Sequence, residues 1–457
     1  MKLTVEDIAK ITGGKLSSKN KKEVIAEGFS VDSRTIRPGQ FFIALKGKSF
    51  DGHDYISEAV RKKALGVIVE CVNDKLLNQE ICHIIITKNS FRAMGRIAEE
   101  IRKRINVPVI CVTGTNGKTT VKDILADILS SKYKVLRNIR SYNNIVGLSL
   151  TLFNLTLEHD IAVVEIGTNY PGEIAELSKI ARPDVAVITN IGNGHLQYFS
   201  DKKGVLKEKI SLLKFLSKKG KGFLNIDDDL LSNVSREKCL IEFFGTKKGS
   251  DFFLDRISEK LDGYEFYVNS KKYFVPLKGI HNVYNSAAAI AVAEFFGIGY
   301  DDISKRLQKV SLPKMRLEKI IAGERVFIND AYNANPESFE AALRFLESCK
   351  APRKGVVAGD MAELGEESEN FHKIIGESIA DKNIDFLIVL GEKAVHVADM
   401  AKKKGMKKDL IAYASNYEEA AQMIHRMSCP ETMILLKGSR FLRMEEVLKC
   451  YMKSYIR

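Results

Sequence analysis

The chain has 457 residues, of which 45% are hydrophobic and 28% are charged, a balance that is typical of a globular protein and excludes a disordered or fibrous one. Its formal net charge of +13 comes from basic residues spread along the whole chain, without tryptophan and without a long basic run. This pattern argues against a nucleic-acid-binding protein and suits an anionic small substrate. The length predicts about three domains.

Export and membrane insertion find no support in the sequence. No stretch approaches the roughly 20 apolar residues of a membrane-spanning helix, and the first ten residues have the acidic, amphipathic pattern of a helix instead of a signal peptide. The seven cysteines form no CxxC pair and no metal-ligand spacing. We therefore expect reduced thiols and a cytoplasmic protein.

Residues 1–106 are predicted to form a small mixed α/β domain. Two short strands within residues 28–54 flank a Pro-Gly turn. Ser33, Arg34 and Lys46 follow these strands and can bind an anionic ligand, although in isolation ordinary turn residues explain them as well. A predicted helix over residues 90–104 leads to a domain boundary near Pro108.

Residues 107–313 are predicted to form a nucleotide-binding domain around one glycine-rich loop. An apolar strand ends in this loop, and a helix-periodic segment follows it. Such a turn presents backbone N–H groups to phosphate, while a lysine binds the terminal phosphates and a threonine hydroxyl reaches Mg²⁺. Val112 stands where the general P-loop pattern has glycine, so a simple tight turn is the alternative. The predicted phosphate-binding residues are Gly114, Thr115, Asn116, Gly117, Lys118, Thr119 and Thr120.

The same domain alternates strands with helices, which predicts a parallel sheet wrapped by helices with ligands at the carboxyl ends of the strands. Glu165 closes the strand Ile161–Ile166, and His195 follows the strand Asp184–Thr189. A carboxylate inside an apolar strand is costly unless it meets a cation or a donor. Coordination of Mg²⁺ and a structural salt bridge would each explain the buried carboxylate of Glu165. His195 by itself is explained as an ordinary loop histidine.

One lysine of the predicted helix Gly204–Leu216 is aimed inward. Lys209 falls on the stripe formed by Leu206, Leu213 and Leu216, whereas the other lysines of the helix share the opposite face. Its alternative is a stem that lies along apolar surface with its amine in water. Further on, a predicted helix rich in small residues begins at His281. Asn282 and the asparagine three residues later could form hydrogen bonds to a nucleotide base or hold a loop in place.

Residues 314–457 are predicted to form a Rossmann-like α/β domain. Polar motifs again follow predicted strands, at Asp330–Pro336, Gly359–Gly365 and Lys437–Arg440. Asn335-Pro336 is a typical helix start, with proline at the first helical position.

The segment Thr113–Thr120 together with Glu165, His195, Lys209, His281-Asn282 and Asp330 resembles the Mur ligases of peptidoglycan synthesis, and the resemblance extends from Asp32 to Arg440. It implies a three-domain, ATP-dependent amide ligase that phosphorylates the terminal carboxylate of a UDP-muramoyl tripeptide. The amine of D-alanyl-D-alanine would then attack the acyl phosphate, a choice of substrate implied by the segments Tyr142–Leu148, Asp330–Ser338 and Gly359–Gly365. The resemblance also implies a monomer with two Mg²⁺ ions and no nucleic-acid or membrane partner.

The same resemblance assigns roles residue by residue. Lys118, Glu165, His195 and Lys209 would be catalytic, and Thr119, Glu165, His195 and a carbamylated Lys209 would hold the metal ions. Asn282 would lie near the adenine, Asp330 near the ribose and Arg316 near the γ-phosphate. Ser33, Arg34 and Lys46 would face the UDP group, Asn143 and Asn144 the muramoyl peptide, and Asn333, Asn335 and Ser439 the incoming amino acid.

Three alternatives stay open on the sequence. A ligase similar to folylpolyglutamate synthase shares the fold, but the Asp-Ser-Arg segment at residues 32–34 and the N-terminal domain around it argue against it. A P-loop kinase or NTPase would hydrolyse ATP without any amine acceptor, and a nucleotide-binding scaffold would not turn ATP over. Neither explains an inward lysine beside the metal site.

Overall fold

The computed structural model describes residues 3–18, 24–72, 83–139, 141–236, 240–311 and 313–456, so that Cys82 and Cys239 lie outside the described residues. Within these ranges no helix combines the length and the apolar character needed to cross a membrane. The α-helices are Val5–Thr12, Ile56–Arg61, Ser90–Arg104, Lys118–Leu129, Ile145–Phe153, Glu173–Ala181, Leu196–Phe199, Lys202–Ile210, His281–Phe295, Tyr300–Leu307, Pro336–Ser348, Ser368–Asp381, Val395–Lys403, Tyr417–Met427 and Glu445–Tyr455. Short 3₁₀ helices cover Gly52–Tyr55, Ser211–Phe215, Leu231–Asn233, Gly365–Glu367, Lys408–Leu410 and Arg440–Leu442.

The N-terminal part contains a mixed sheet, which in the described residues has five strands in the order β2-β7-β6-β5-β4. β2 pairs antiparallel with β7, and the other pairs are parallel. The two strands predicted around the Pro-Gly turn are β4 and β5. The strands of this part are β1 (Leu3–Thr4), β2 (Lys15–Ser18), β3 (Ile25–Ala26), β4 (Gly28–Ser30), β5 (Gln40–Ile43), β6 (Gly66–Val69) and β7 (His83–Ile86).

The central part is built on a sheet whose described strands run in the order β16-β15-β14-β13-β12-β11-β8-β10-β9. The strands from β9 to β14 are parallel, as predicted, whereas β14, β15 and β16 form an antiparallel meander that the sequence analysis did not predict. β8 lies between β10 and β11, so the ends of these three strands meet at one edge. The strands are β8 (Val109–Thr113), β9 (Val135–Arg137), β10 (Ile161–Glu165), β11 (Val185–Ile188), β12 (Lys221–Asn225), β13 (Leu240–Gly245), β14 (Phe252–Lys260), β15 (Gly263–Val268) and β16 (Lys271–Val275).

The C-terminal part has its own sheet, with the described strands in the order β17-β18-β22-β19-β20-β21. Only β17 among these strands is antiparallel to its neighbour. The polar motifs identified in the sequence follow β18, β19 and β22, which are adjacent. The strands are β17 (Glu318–Ala322), β18 (Arg325–Asn329), β19 (Lys354–Gly359), β20 (Phe386–Leu390), β21 (Ile411–Ala414) and β22 (Met433–Lys437).

The hydrophobic cores join the first two parts and leave the third by itself. One buried cluster contains Met94 and Ile97 of the helix Ser90–Arg104 together with Leu148 and Leu177 of the central part. The C-terminal sheet is covered by separate clusters on its two faces. The N-terminal and central parts therefore share a core, while the C-terminal part packs around its own.

An ion pair between a buried arginine and a partly exposed aspartate strengthens the joint between the first two parts. Arg102, 4% exposed, donates to the carboxylate of Asp184 at 3.0 Å, and the same carboxylate oxygen accepts the N–H of Val109 at 3.0 Å. Asp184 therefore links the helix Ser90–Arg104 to the start of β8.

Candidate active site

A cavity of about 640 Å³ lies between the carboxyl edge of the central sheet and the C-terminal part. Fourteen of the residues singled out in the sequence line it, although they are spread over 221 positions of the chain. They are Thr115, Asn116, Gly117, Lys118, Thr119, Thr120, Asn143, Glu165, His195, Asn282, Arg316, Asp330, Asn333 and Asn335.

The glycine-rich loop has the backbone of a phosphate-binding turn. Gly114 and Gly117 have φ angles of 146° and 83°, a region that side chains disfavour. A Cβ atom on Gly114 would lie 1.9 Å from Oγ1 of Thr189, and one on Gly117 would lie 2.3 Å from Oδ1 of Asn285. Both positions therefore require glycine for space as well as for conformation.

Two lysine amines converge on one carbonyl of this loop. Nζ of Lys118 and Nζ of Lys209 each donate to the carbonyl oxygen of Gly114 at 2.9 Å. Lys209 is 2% exposed, which confirms that it is aimed inward. Burial, and next the charge of Lys118, lower the pKa of Lys209 well below its usual value. Burial also lowers the pKa of Lys118. Both amines therefore release a proton more readily than an exposed lysine does, Lys209 above all.

Oxygen ligands suitable for Mg²⁺ lie beside these lysines. Glu165 is 1% exposed, and its carboxylate accepts the hydroxyl of Thr119 at 2.7 Å and the amide of Asn143 at 2.7 Å. Its hydrogen-bond partners are thus neutral donors. A hydroxyl and a carboxylate form the hard-oxygen pair that Mg²⁺ takes from proteins, with phosphates and water completing the shell. Among the described residues, no three His, Cys, Asp or Glu side chains lie close enough together to hold a metal ion by themselves.

Arg316 reaches this group from the C-terminal part. Its guanidinium donates to the hydroxyl of Thr119 at 3.1 Å and lies 4.2 Å from the ring centroid of Tyr332. The aromatic face orients the guanidinium. Arg316 therefore points its charge at the loop that would hold the terminal phosphates.

His195 makes a second contact to the C-terminal part. Its backbone has φ 61°, and its Nδ1 lies 2.5 Å from a carboxylate oxygen of Glu363. The two atoms lie close together but are not aligned for a hydrogen bond. The backbone N–H of Gln197 donates to the Glu363 carbonyl at 3.0 Å. The sequence showed the motif Gly359–Gly365 but not that Glu363 would meet His195.

Asparagine and glutamate side chains complete the contact between the two parts. Asn335 caps the helix Pro336–Ser348, as predicted, and its side-chain amide pairs with that of Asn116 at 2.9 and 3.3 Å. Glu337 accepts the backbone and side-chain N–H groups of Asn193 at 2.9 and 2.7 Å. No local pattern could have revealed these pairs, because the partners are 219 and 144 residues apart.

The residues expected around the nucleoside lie at other walls of the cavity. Asn282 is buried, donates to the carbonyl of Lys278 at 2.8 Å and accepts the amide of Asn285 at 3.1 Å. Asp330 accepts the backbone N–H of the residue after Arg316 and forms an ion pair with Lys437, which is 1% exposed.

The remaining predicted residues lie outside the lining of this cavity. Ser33 donates to the carboxylate of Glu58 at 2.6 Å. The guanidinium of Arg34 donates two hydrogen bonds to the carboxylate of Asp32, at 2.9 and 2.8 Å. Lys46 is exposed. All three belong to the N-terminal part.

Two further residues hold backbone segments next to the cavity. Asn144 caps the helix Ile145–Phe153. Ser439 is buried, donates to the carbonyl of Ala334 at 3.3 Å and accepts the N–H of Ala362 at 2.8 Å, so it ties together the loops after β18, β19 and β22.

A phosphate-binding loop that faces a second α/β unit across a cavity, with basic side chains on both sides, is suited to transferring a phosphoryl group from ATP. Comparisons with known proteins agree. Family profiles match residues 26–111 (Mur ligase family, catalytic domain), 112–293 (Mur ligase middle domain) and 315–440 (Mur ligase, glutamate ligase domain).

The chain is 34% identical over 459 residues to the UDP-N-acetylmuramoyl-tripeptide–D-alanyl-D-alanine ligase of Bacillus subtilis strain 168, and the match covers 99% of both chains. A crystal structure of MurF from Acinetobacter baumannii superimposes with a TM-score of 0.89, at 30% identity and 99% coverage of both chains. MurF of Thermotoga maritima in complex with ADP gives a TM-score of 0.81, at 29% identity, and covers 93% of this chain and 97% of that one.

The protein belongs to the Mur ligase family, with the three-part fold of that family. It is an ATP-dependent carbon–nitrogen ligase.

Proposed function

We propose that the protein joins D-alanyl-D-alanine to UDP-N-acetylmuramoyl-tripeptide at the expense of ATP, giving the pentapeptide precursor of peptidoglycan. The terminal carboxylate of the tripeptide takes the γ-phosphoryl group of ATP and becomes an acyl phosphate. The dipeptide amine attacks the acyl carbon, and the tetrahedral intermediate releases phosphate. The chain is similar over 99% of its length to a UDP-N-acetylmuramoyl-tripeptide–D-alanyl-D-alanine ligase and to a MurF structure, and this similarity supports the choice of substrates.

The observation that carries the chemistry is the convergence of two buried lysines on the Gly114 carbonyl, beside Thr119 and Glu165. Phosphoryl transfer to a carboxylate requires two anions to approach in line. Cationic groups fixed beforehand lower the barrier, because they need no reorganisation as charge moves. Lys118 and Arg316 supply such charges on the two sides of the cavity.

Lys209 has a different part in this proposal. Its depressed pKa leaves an amine lone pair free to attack CO₂, so that a new N–C bond forms, one proton is lost and a carbamate results. The side chain thereby changes from a group that repels metal ions into an oxygen ligand. Two Mg²⁺ ions, when bound, would neutralise phosphate charge, and Thr119, Glu165, His195 and carbamylated Lys209 are the residues that would hold them.

The remaining roles follow the same assignment. The loop Gly114–Thr120 binds the phosphates, Asn282 lies near the adenine and Asp330 near the ribose. The UDP group binds at Ser33, Arg34 and Lys46. The muramoyl peptide passes Asn143 and Asn144, and the dipeptide lies toward Asn333, Asn335 and Ser439.

We further propose domains at 1–106, 107–313 and 314–457, a monomeric protein and a cytoplasmic location. Each of the four sheets in the described residues falls inside one of these ranges, which supports the boundaries. The five cysteines of the described ranges are free thiols, in keeping with a reducing compartment.

The test is a phosphate-release assay with ATP, Mg²⁺ and UDP-N-acetylmuramoyl-tripeptide, with the nucleotide-linked product followed by mass spectrometry. Phosphate release that depends on D-alanyl-D-alanine and yields the pentapeptide is the expected result. Equal phosphate release without any amine would instead indicate an NTPase, and turnover of a folate with glutamate would indicate the other ligase.

A further inference from the structure

Glu208 is a buried carboxylate to which the reaction above gives no part. It directly precedes Lys209 on the helix Lys202–Ile210 and is 7% exposed. One of its oxygens accepts the N–H of Ile174 and the other accepts the N–H of Gly172, both at 2.8 Å. Hydrogen bonds to an ionised acceptor are stronger than neutral ones. Glu208 is therefore held firmly at the start of the helix Glu173–Ala181.

The residue before that helix supplies no side-chain cap. Its N-cap residue is Gly172, which has φ 92° and no side chain to accept a hydrogen bond. The first N–H groups of a helix lack intrahelical partners, and the positive end of the helix dipole favours an anion. Glu208 supplies both the acceptor and the charge, from a position 34 residues after Ile174.

The helix that carries Lys209 depends on this contact. It has nine residues, and its buried side chains are Val205, Glu208 and Lys209, of which one is apolar. A helix of this length is unstable by itself and needs tertiary packing. Besides Val205 and the partly buried Leu206 and Ile210, the hydrogen bonds that Glu208 accepts are a main attachment of the helix to its neighbours; they include one from the hydroxyl of Thr168 at 3.5 Å.

We propose that Glu208 is a positioning residue. By accepting the N–H groups at the start of the helix Glu173–Ala181, it fixes the position of the helix Lys202–Ile210. The Lys209 amine is thereby held within hydrogen-bond distance of the Gly114 carbonyl. The amine is the atom that takes up CO₂, so this inference rests on the proposed function. Without the hydrogen bonds of Glu208, the Lys209 amine can move away from the glycine-rich loop, although no residue of the loop has been changed.

The experiment uses hydrogen exchange, read by mass spectrometry, on the full chain and on E208A, E208Q and E173Q. Glu173 is the matched control, because it accepts the N–H groups of Asn169 and Tyr170 at 2.6 and 3.0 Å in the same loop and makes no hydrogen bond to the helix of Lys209. We expect exchange within residues 202–210 to rise about tenfold or more in E208A, the effect of losing a charge-assisted hydrogen bond. E208Q, whose amide oxygen can satisfy only one of the two N–H groups, should fall between, and E173Q should leave this segment unchanged.

Activity and carbamate formation give a second readout. In the E208 variants kcat should fall while the KM for ATP stays near the wild-type value, and the Lys209 carbamate signal in ¹³C-bicarbonate NMR should weaken. If E208A fails to fold, E208Q carries the same comparison. Unchanged exchange in the E208 variants, or an equal rise in E173Q, would overturn the inference. A wild-type protein that makes no pentapeptide would overturn the proposed function, while the exchange data would still decide the role of Glu208.

Discussion

Replacing Lys209 with methionine should abolish ligation and, at the same time, stabilise the folded protein at neutral pH. Methionine keeps most of the side-chain length but has no amine. In the native protein Lys209 is 2% exposed, and burial together with the charge of Lys118 depresses its pKa. Between this depressed folded pKa and the unfolded pKa of about 10.4, the unfolded chain therefore binds a proton that the folded chain lacks.

The sign and size follow from proton linkage. Where the unfolded state binds more protons, stability rises with pH, here by up to about 1.4 kcal/mol per pH unit between the depressed folded pKa of Lys209 and its unfolded pKa. The methionine variant lacks this dependence, so its advantage in stability should grow as the pH falls from about 10 toward the folded pKa of Lys209. Loss of the hydrogen bond to Gly114 opposes this by only about 1 kcal/mol, and that carbonyl keeps its bond from Lys118.

The assay is urea unfolding of wild-type protein, K209M and K207M at several pH values in CO₂-free buffer. Lys207 is exposed on the same helix, so K207M should follow the wild-type pH dependence. A difference between K209M and wild type that does not change with pH, or a K209M that is less stable at neutral pH, would show that the amine is charged in the folded protein. Full ligase activity in K209M would refute its part in the reaction.

Three further outcomes follow from the site. K209A should regain part of its activity when short carboxylates are added, since an anion can take the place of the carbamate; the phosphate-release assay measures this. G117A should weaken ADP binding by tenfold or more in calorimetry, because its Cβ would overlap Asn285 at a φ that costs a side chain roughly 1–3 kcal/mol. N335A should lower kcat and lose about 1 kcal/mol of stability, whereas N416A, which removes an equivalent cap on the helix Tyr417–Met427, should lose the stability alone.

Local patterns in the sequence were sufficient to predict much of the fold and the residues that the central part contributes to the site. The helix Ser90–Arg104 and the cap at Asn335 were predicted to the residue. The inward direction of Lys209 was also predicted, because helical periodicity fixes which side chains share a face. The predicted helix Gly204–Leu216 begins earlier, at Lys202, and passes into a 3₁₀ turn after Ile210.

Contacts between distant segments could not be predicted in this way. Glu208 was passed over because nothing near it in the sequence shows that Gly172 leaves a helix uncapped. The meeting of His195 with Glu363 depends on how two separately formed sheets face each other. The antiparallel strands β14 to β16 were missed because alternation of β strands with helices elsewhere in the domain favoured a wholly parallel sheet.

The core shared by the N-terminal and central parts has a mechanical consequence. Since buried apolar side chains and the Arg102–Asp184 pair bind these parts together, they should move as one body. The contacts between the P-loop side and the C-terminal part described above are polar, which is the kind of surface that separates and re-forms readily in water. We therefore expect a single hinge, between the central and C-terminal parts, at which binding of the nucleotide and the peptide closes the cavity.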